Sequence, residues 1–412
     1  MKTQAFVLSL LLVLLSAASC NKDADGIEKE IKLTLKSQQI VEADNEFGLD
    51  IFKRIYENEE EPNFMISPLS ISMALAMTYN GAETETKAQM AEALKIDKFT
   101  RDELNATYKQ LMEALGSIDP KVVLEIANSI WYRDTYPVEE AFLNVNSAFY
   151  NAEVNAANFE NPETVDLINQ WVSDKTHEKI PFMLENIPPD AVMYLINAIY
   201  FYGNWATEFN PESTREGSFD LGDNNYVSVD MMNRIDTVNY LSNDVFSAIE
   251  LPYGKGNFNM TLLLPAHNKK VNDVVTLLNT KNWKKWQNEF VKTNSIDIKL
   301  PKFKIEYKIS LNDFLADMGM ELAFSDYADF SGINKNRNLF ISRTKHKTFI
   351  EVDEEGTEAA AATMVEMSFT SFDPNAPQYI PFHCNRPFLF VINEKDTGAI
   401  LFMGKVGNPK EE

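Results

Sequence analysis

Apolar residues recur every four positions at Phe47, Ile51 and Ile55, with Phe52 and Tyr56 beside them. That spacing gives one apolar face at helical period and predicts an amphipathic helix in the first part of the chain. A second helix is written into "SPLSISMALAMTYNGA" (67–82), where Ser67 can cap, Pro68 suits the first helical position and Gly81 can end the element. "TETKAQMAEALK" reads as a third. Strand-like runs follow: "VVLEIANSIWY" (122–132), "AVMYLINAIYFYG" (191–203) and "FNMTLLLP" (258–265). "SIDIKLPKFKIEYKI" (295–309) alternates after Pro301 and puts Phe303, Ile305, Tyr307 and Ile309 on one face. "LFISRTKHKTFIEV", "PFLFVI" and "AILFMGKV" close the series. Strands and helices do not alternate regularly, which excludes a doubly wound sheet and predicts a mixed α+β domain. No Pro- or Gly-rich linker, low-complexity tract or repeat interrupts the chain after about residue 38, so residues 38–412 are expected to form a single domain.

One tract resists the pattern. "EVDEEGTEAAAAT" (351–363) carries four consecutive alanines, with Thr357 able to cap and Glu358 suited to a first turn, so its propensity is helical. Yet it stands between two strand-like runs, "HKTFIEV" and "PFLFVI".

The 412 residues, 45% hydrophobic and 24% charged, allow a large core. The amino end stands apart from it. Lys2, an apolar run, "SAAS" and Cys20 make an export signal over 1–19, too short for a membrane span. A cysteine directly after small residues resembles the lipobox of bacterial lipoproteins, with Ala17 where that pattern prefers Leu. Cys20 is then the lipidated residue, and 20–37 a polar tether that holds the domain at the outer membrane, in the periplasm or at the cell surface; a plain secretory signal is the alternative. "NKDADG" (21–26) lacks the Asp and the final Glu of a calcium loop, since Asn21 and Lys32 stand in those places. With Cys20 lipidated, Cys384 is alone and no disulfide is expected. A formal charge of −23, or −24 once Lys2 leaves with the signal, argues against nucleic acid and against electrostatic docking on anionic lipid. A membrane is then met only through a lipid anchor.

No catalytic constellation appears. There is no phosphate-binding glycine loop, zinc-protease helix or nucleophile elbow. His177, His267, His346 and His383 lie far apart without ligand spacing, and His346 reads as a buried structural histidine. The expectation is no metal, no cofactor and no enzyme.

Blocks spanning about 38 to 409 nevertheless resemble the serpins. They are "NFMISPLSISMALAMTYNGA", "NAIYFYGNWATEF", "ELPYGKGNFNMTLLLP", "LPKFKIEY" with "DMGMELAFSDYADFSGI", "HKTFIEVDEEGTEAAAAT" and "NRPFLFVINEKDTGAILFMGKVGNP", in the family's order. The resemblance implies a serpin fold: a large central mixed β-sheet, smaller sheets, about eight to nine helices and an exposed reactive-centre loop at about 354–380. It implies a monomeric suicide-type inhibitor that traps a serine endopeptidase as a covalent acyl complex, the cleaved loop entering the central sheet as a new strand. A serpin-fold substrate or scaffold that is cut without trapping is the alternative.

In that light Glu354, Glu355, Gly356, Thr357, Glu358 and Ala359, Ala360, Ala361 and Ala362 resemble an inhibitory hinge. Small side chains permit insertion, and Gly356 serves as a pivot. A strand buries alternate residues, and one parity (Thr357, Ala359, Ala361, Thr363, Val365, Met367, Phe369) is free of charge. Glu358 and Glu366 share the other, solvent-facing parity. Ser67, Ser70, Asn197 and His346 match the family's shutter, and Trp205 with Glu354 its breach. The scissile bond is usually fourteen residues past the hinge glycine, which here gives Thr370–Ser371, with Phe369 and Phe372 as flanking alternatives. Thr370 suits an elastase-like target and the phenylalanines a chymotrypsin- or subtilisin-like one, a cysteine protease being a further admissible class. No Arg or Lys occurs from Glu366 to Gln378, against a trypsin-like target.

Overall fold

A computed structural model of the chain describes residues 30–336, 339–357 and 378–411. The expected amino-terminal helix is α1 (Leu35–Asn58), whose Phe47, Ile51, Phe52 and Ile55 are buried. It is capped by Thr34, which accepts from Ser37 N. Residues assigned to the tether therefore already belong to the domain. Ile31 N donates to Asp396 Oδ2 (3.0 Å), and the helix begins at Leu35, inside the stretch 20–37.

After β1 (Phe64–Ile66) come α2 (Pro68–Tyr79), α3 (Thr84–Ala93) and α4 (Arg101–Leu115). Ser67 caps α2 with Pro68 at its first position, as its sequence dictates. All but one of the twelve residues of α2 are buried, because the helix runs beneath both sheets and has no solvent face. β2 (Val122–Arg133), α5 (Glu140–Tyr150), β3 (Glu153–Ala157), α6 (Glu163–Lys175) and β4 (Met193–Asn204) follow. Next are β5 (Arg215–Gly222), β6 (Asn225–Ser242), β7 (Phe246–Tyr253), β8 (Phe258–Pro265), α7 (Val271–Leu277), α8 (Thr280–Glu289), β9 (Val291–Pro301) and β10 (Phe303–Ser310). The series closes with α9 (Asn312–Leu315), β11 (Lys345–Val352), β12 (Gly356–Thr357), β13 (Ile380–His383), β14 (Phe388–Glu394) and β15 (Ile400–Val406).

The strands make two mixed sheets. Nine form one sheet in the order β1-β15-β14-β8-β7-β6-β9-β13, with β5 on β6; six form the other in the order β10-β11-β12-β4-β2-β3. Two expectations are corrected here. The run 295–309 is two strands in different sheets, because Pro301 and Lys302 carry the chain from β9 to β10. The run 339–352 is strand only from Lys345; residues 339–344 approach as irregular chain. Among the described residues no helix is long and apolar enough to cross a membrane. Cys384 is free and buried, and burial pushes its thiol up.

Candidate functional site

The six-stranded sheet has an interruption at its centre. β4 pairs with β2 over Met193–Gly203, and β10 pairs with β11 throughout. Among the described residues β4 and β11 share no backbone pairing; only the two residues of β12 stand between them. Val352 opposes Thr357, Gly356 opposes Asn204 and Thr357 opposes Gly203, both pairings antiparallel. β12 thus places Gly356 and Thr357 at one end of a slot between two parallel strands.

The turn that aims β12 is built from a short local code. Asp353 and Gly356 close a four-residue turn, Asp353 N donating to Gly356 O (3.0 Å). Asp353 Oδ1 accepts from Glu355 N (3.0 Å) and Gly356 N (3.2 Å). Asp at the first and Gly at the fourth position is the signature of such a turn, so "DEEG" carried this signal in the sequence although it was not read there. Three carbonyls of the turn are then taken up by the segment after β4. Trp205 Nε1 donates to Asp353 O (3.0 Å), Phe209 N to Glu354 O (2.8 Å) and Trp205 N to Glu355 O (2.7 Å). Trp205 stacks on Tyr253 at 4.5 Å.

Glu354, 8% exposed, accepts from Thr214 Oγ1 (2.7 Å) and pairs with Lys302 Nζ (2.8 Å). Burial works against its ionisation, but the Lys302 and Thr214 hydrogen bonds outweigh it and hold the carboxyl below its ordinary value. Thr357 is not a helix cap. It lies in β12 with its hydroxyl 2.7 Å from the buried Tyr253 hydroxyl, so its side chain faces the interior.

Gly356 is needed for a reason other than a pivot. Its backbone is not in the left-handed region. A Cβ there would lie 2.1 Å from the Gly203 carbonyl oxygen and 2.7 Å from Asn204 Cα. The constraint is close approach of backbone to backbone.

The four polar residues assigned to the shutter fall into two groups. Ser67 N donates to His346 Nε2 (2.9 Å), and Ser67 Oγ accepts from Ser70 N (3.3 Å). His346 is therefore neutral, with its proton on Nδ1, and burial lowers it to about 3. Across the slot Asn197 Nδ2 donates to Asn128 Oδ1 (2.7 Å), and Asn128 Nδ2 to Tyr150 O (2.7 Å). No hydrogen bond among the described residues joins Asn197 to Ser67, Ser70 or His346. Thr348 Oγ1 further ties β11 to Met65 O (2.8 Å).

Asn128, Thr348, Thr214, Lys302, Tyr253 and Phe209 were not found by sequence reasoning. Each lies far along the chain from the residue it serves, and nothing local marks it. Cys20, Glu358, Ala359, Ala360, Ala361, Ala362, Phe369, Thr370, Ser371 and Phe372 lie outside the described residues. Among the described residues no three His, Cys, Asp or Glu side chains are grouped to hold a metal.

The comparisons identify the family. The serpin (serine protease inhibitor) family model matches residues 42–409. An uncharacterised serpin-like protein of Methanosarcina acetivorans is 33% identical over 100% of this chain and 99% of its own. Human leukocyte elastase inhibitor is 34% identical over 90% of this chain and 100% of its own. The native-state crystal structure of a thermophilic serpin, tengpin, superposes with a TM-score of 0.82 at 34% identity, covering 92% of this chain and 96% of that one. The chain belongs to the serpin family and has its fold. The bare expectation of no enzyme is corrected accordingly: it was a statement of absent motifs, and the family match replaces it with membership of a family of protease inhibitors.

Proposed function

We propose that this serpin is a suicide-type inhibitor of a serine endopeptidase. The observation that supports this best is β12: Gly356 and Thr357 already lie between β11 and β4, which among the described residues do not pair with each other. Acylation at Thr370–Ser371, with Phe369 and Phe372 as the flanking alternatives, frees the segment after Thr357 to continue down the slot. Glu354, Glu355 and Gly356 remain as the turn while Glu358 to Ala362 follow as strand. Small residues let the tract pass, and the charge-free parity begun by Thr357 meets the interior. Roughly ten newly paired residues at ~1 kcal/mol per hydrogen bond would contribute on the order of 10 kcal/mol. That energy drives displacement of the bound protease. Ser67, Ser70, Asn197 and His346 act as the shutter that parts, and Trp205 with Glu354 as the breach where insertion starts. Thr370 favours an elastase-like target, and the human relative is a leukocyte elastase inhibitor. Residues 1–19 act as the export signal, and Cys20 carries the lipid that places a monomeric domain at the outer membrane.

Incubation with elastase, chymotrypsin and subtilisin tests the reading. The expected result is an SDS-resistant complex, a rise in melting temperature of the cleaved chain by tens of degrees, and a released peptide beginning at Ser371. Cleavage with neither a complex nor a thermal rise would identify a serpin-fold substrate instead. A peptide beginning at Thr370 or Asp373 would move the bond and the target class.

A further inference from the structure

At the end of the slot far from β12 lies a cavity of about 370 Å³. α2 forms one wall, the start of β4 another, and the irregular segment 339–344 with the first residues of β11 a third. The lining is largely apolar, including Ile71, Leu75, Leu184, Leu195 and Ile341. Two cations, Arg343 and Lys345, also line it, with Asp190 as the single carboxylate. Neither cation forms an ion pair among the described residues. The nearby Glu185 is engaged by Lys308. Burial, then the positive charges of Lys308 and Arg343, holds the Lys345 ammonium below its ordinary value against the pull of Glu185. Thr344 Oγ1, between the two cations in sequence, is buried without a hydrogen-bond partner. Unpaired cations around an apolar cavity are notable in a chain of formal charge −23.

We propose that this cavity binds a single-chain amphipathic anion, an acyl-chain carboxylate. The hydrocarbon lies against Ile71, Leu75 and Leu195. The carboxylate sits between Arg343 and Lys345 and accepts from the Thr344 hydroxyl. Arg343 is exposed and reaches the cavity from its mouth, while Lys345 is half-buried; a neutral apolar ligand gives neither Lys345 nor the buried Thr344 hydroxyl a partner, and a sugar phosphate or nucleotide sets polar groups against the apolar wall without partners. The volume falls in the range of small-molecule sites. At ~30 Å³ per water-sized group it holds about a dozen heavy atoms, the size of decanoate. Asn197 Oδ1, in the same lining, is a second buried acceptor without a hydrogen-bond partner among the described residues. A strand continuing from β12 along β4 needs this volume, so ligand and inserted loop exclude one another. That consequence rests on the inhibitor reading; the binding itself does not.

Calorimetric titration of decanoate into the uncleaved protein tests it. The expected result is saturable one-to-one binding, with decanol and decyltrimethylammonium at least about tenfold weaker, the size of one charge-assisted hydrogen bond. Arg343→Glu should weaken decanoate by about tenfold or more, and Ala74→Phe, which fills the cavity from α2, should abolish binding. Absence of binding, or equal binding to the wild type and to Arg343→Glu, overturns the proposal whether or not the chain inhibits a protease; Arg343 carries this arm if Ala74→Phe does not fold. On the inhibitor reading, saturating decanoate shifts the protease reaction from SDS-resistant complex to cleaved chain, and the cleaved, inserted chain no longer binds it. If no complex forms even without ligand, the inhibitor reading fails while the titration still decides the cavity.

Discussion

Gly356→Ala perturbs the seat of the hinge at its tightest point. The added methyl would meet the Gly203 carbonyl oxygen at 2.1 Å and Asn204 Cα at 2.7 Å. Both are backbone atoms of β4, held in turn by β2, so no side chain can swing away. Overpacking of this kind costs typically about 1–3 kcal/mol. If β12 leaves instead, the Thr357–Tyr253 bond and its pairing to Gly203 are lost with it. On the inhibitor reading, insertion competes with hydrolysis of the acyl-enzyme. Where the methyl unseats β12, insertion must first restore it against this penalty, and about 1–3 kcal/mol slows insertion by roughly 5- to 150-fold, at tenfold per ~1.4 kcal/mol. The assay is titration of a fixed amount of protease with increasing inhibitor, resolved by denaturing electrophoresis. The Ala variant should need more inhibitor per protease inactivated and should accumulate cleaved chain in place of complex. The uncleaved variant should also melt a few degrees lower. An unchanged titration together with an unchanged melting temperature would refute the argument that backbone contact at Gly203 seats the hinge.

Other outcomes follow from the same geometry. Glu354→Gln removes one partner of Lys302 and should cost about 1–3 kcal/mol near neutral pH. Because the folded carboxyl is held below its ordinary 4.5, its stabilisation is complete above that pH and is lost as pH falls through the lowered value. The gap between wild type and variant in urea unfolding should therefore close in acid. His346 behaves likewise on a higher range. The unfolded histidine takes a proton below about 6.5 while the buried one resists to about 3. Stability should fall by about 1.4 kcal/mol per pH unit below 6.5 from this group alone, and urea midpoints between pH 7 and 5 should lose that slope in His346→Gln. Thr357→Val strands the Tyr253 hydroxyl in the interior and should lower unfolding free energy by about 1–3 kcal/mol, whereas Tyr253→Phe in the same background should restore part of it.

The order of elements was legible in the sequence because it rests on local rules. α2 announces itself through Ser67, Pro68 and an apolar run, and β4 and β14 through unbroken apolar stretches. The small side chains of 359–362 and the parity beginning at Thr357 are likewise properties of consecutive residues. Periodicity could not report the break at Lys302, because the alternation of side chains continues while the strand changes sheets. Nor could it report that Thr357, which suits a helix cap, is strand: propensity is worth a few tenths of a kcal/mol per residue, and the pairing of Gly356 and Thr357 with β4 and β11 decides their conformation. The partners of Glu354, Lys302 and Thr214, lie 52 and 140 residues away. The division of the shutter into halves on either side of the slot depends on which strands are neighbours. Gly356 draws the line most clearly. That a glycine stands there is sequence; that it is required by the carbonyl of Gly203, and not by backbone freedom, was decided only when the tertiary fold brought two strands from distant parts of the chain into contact.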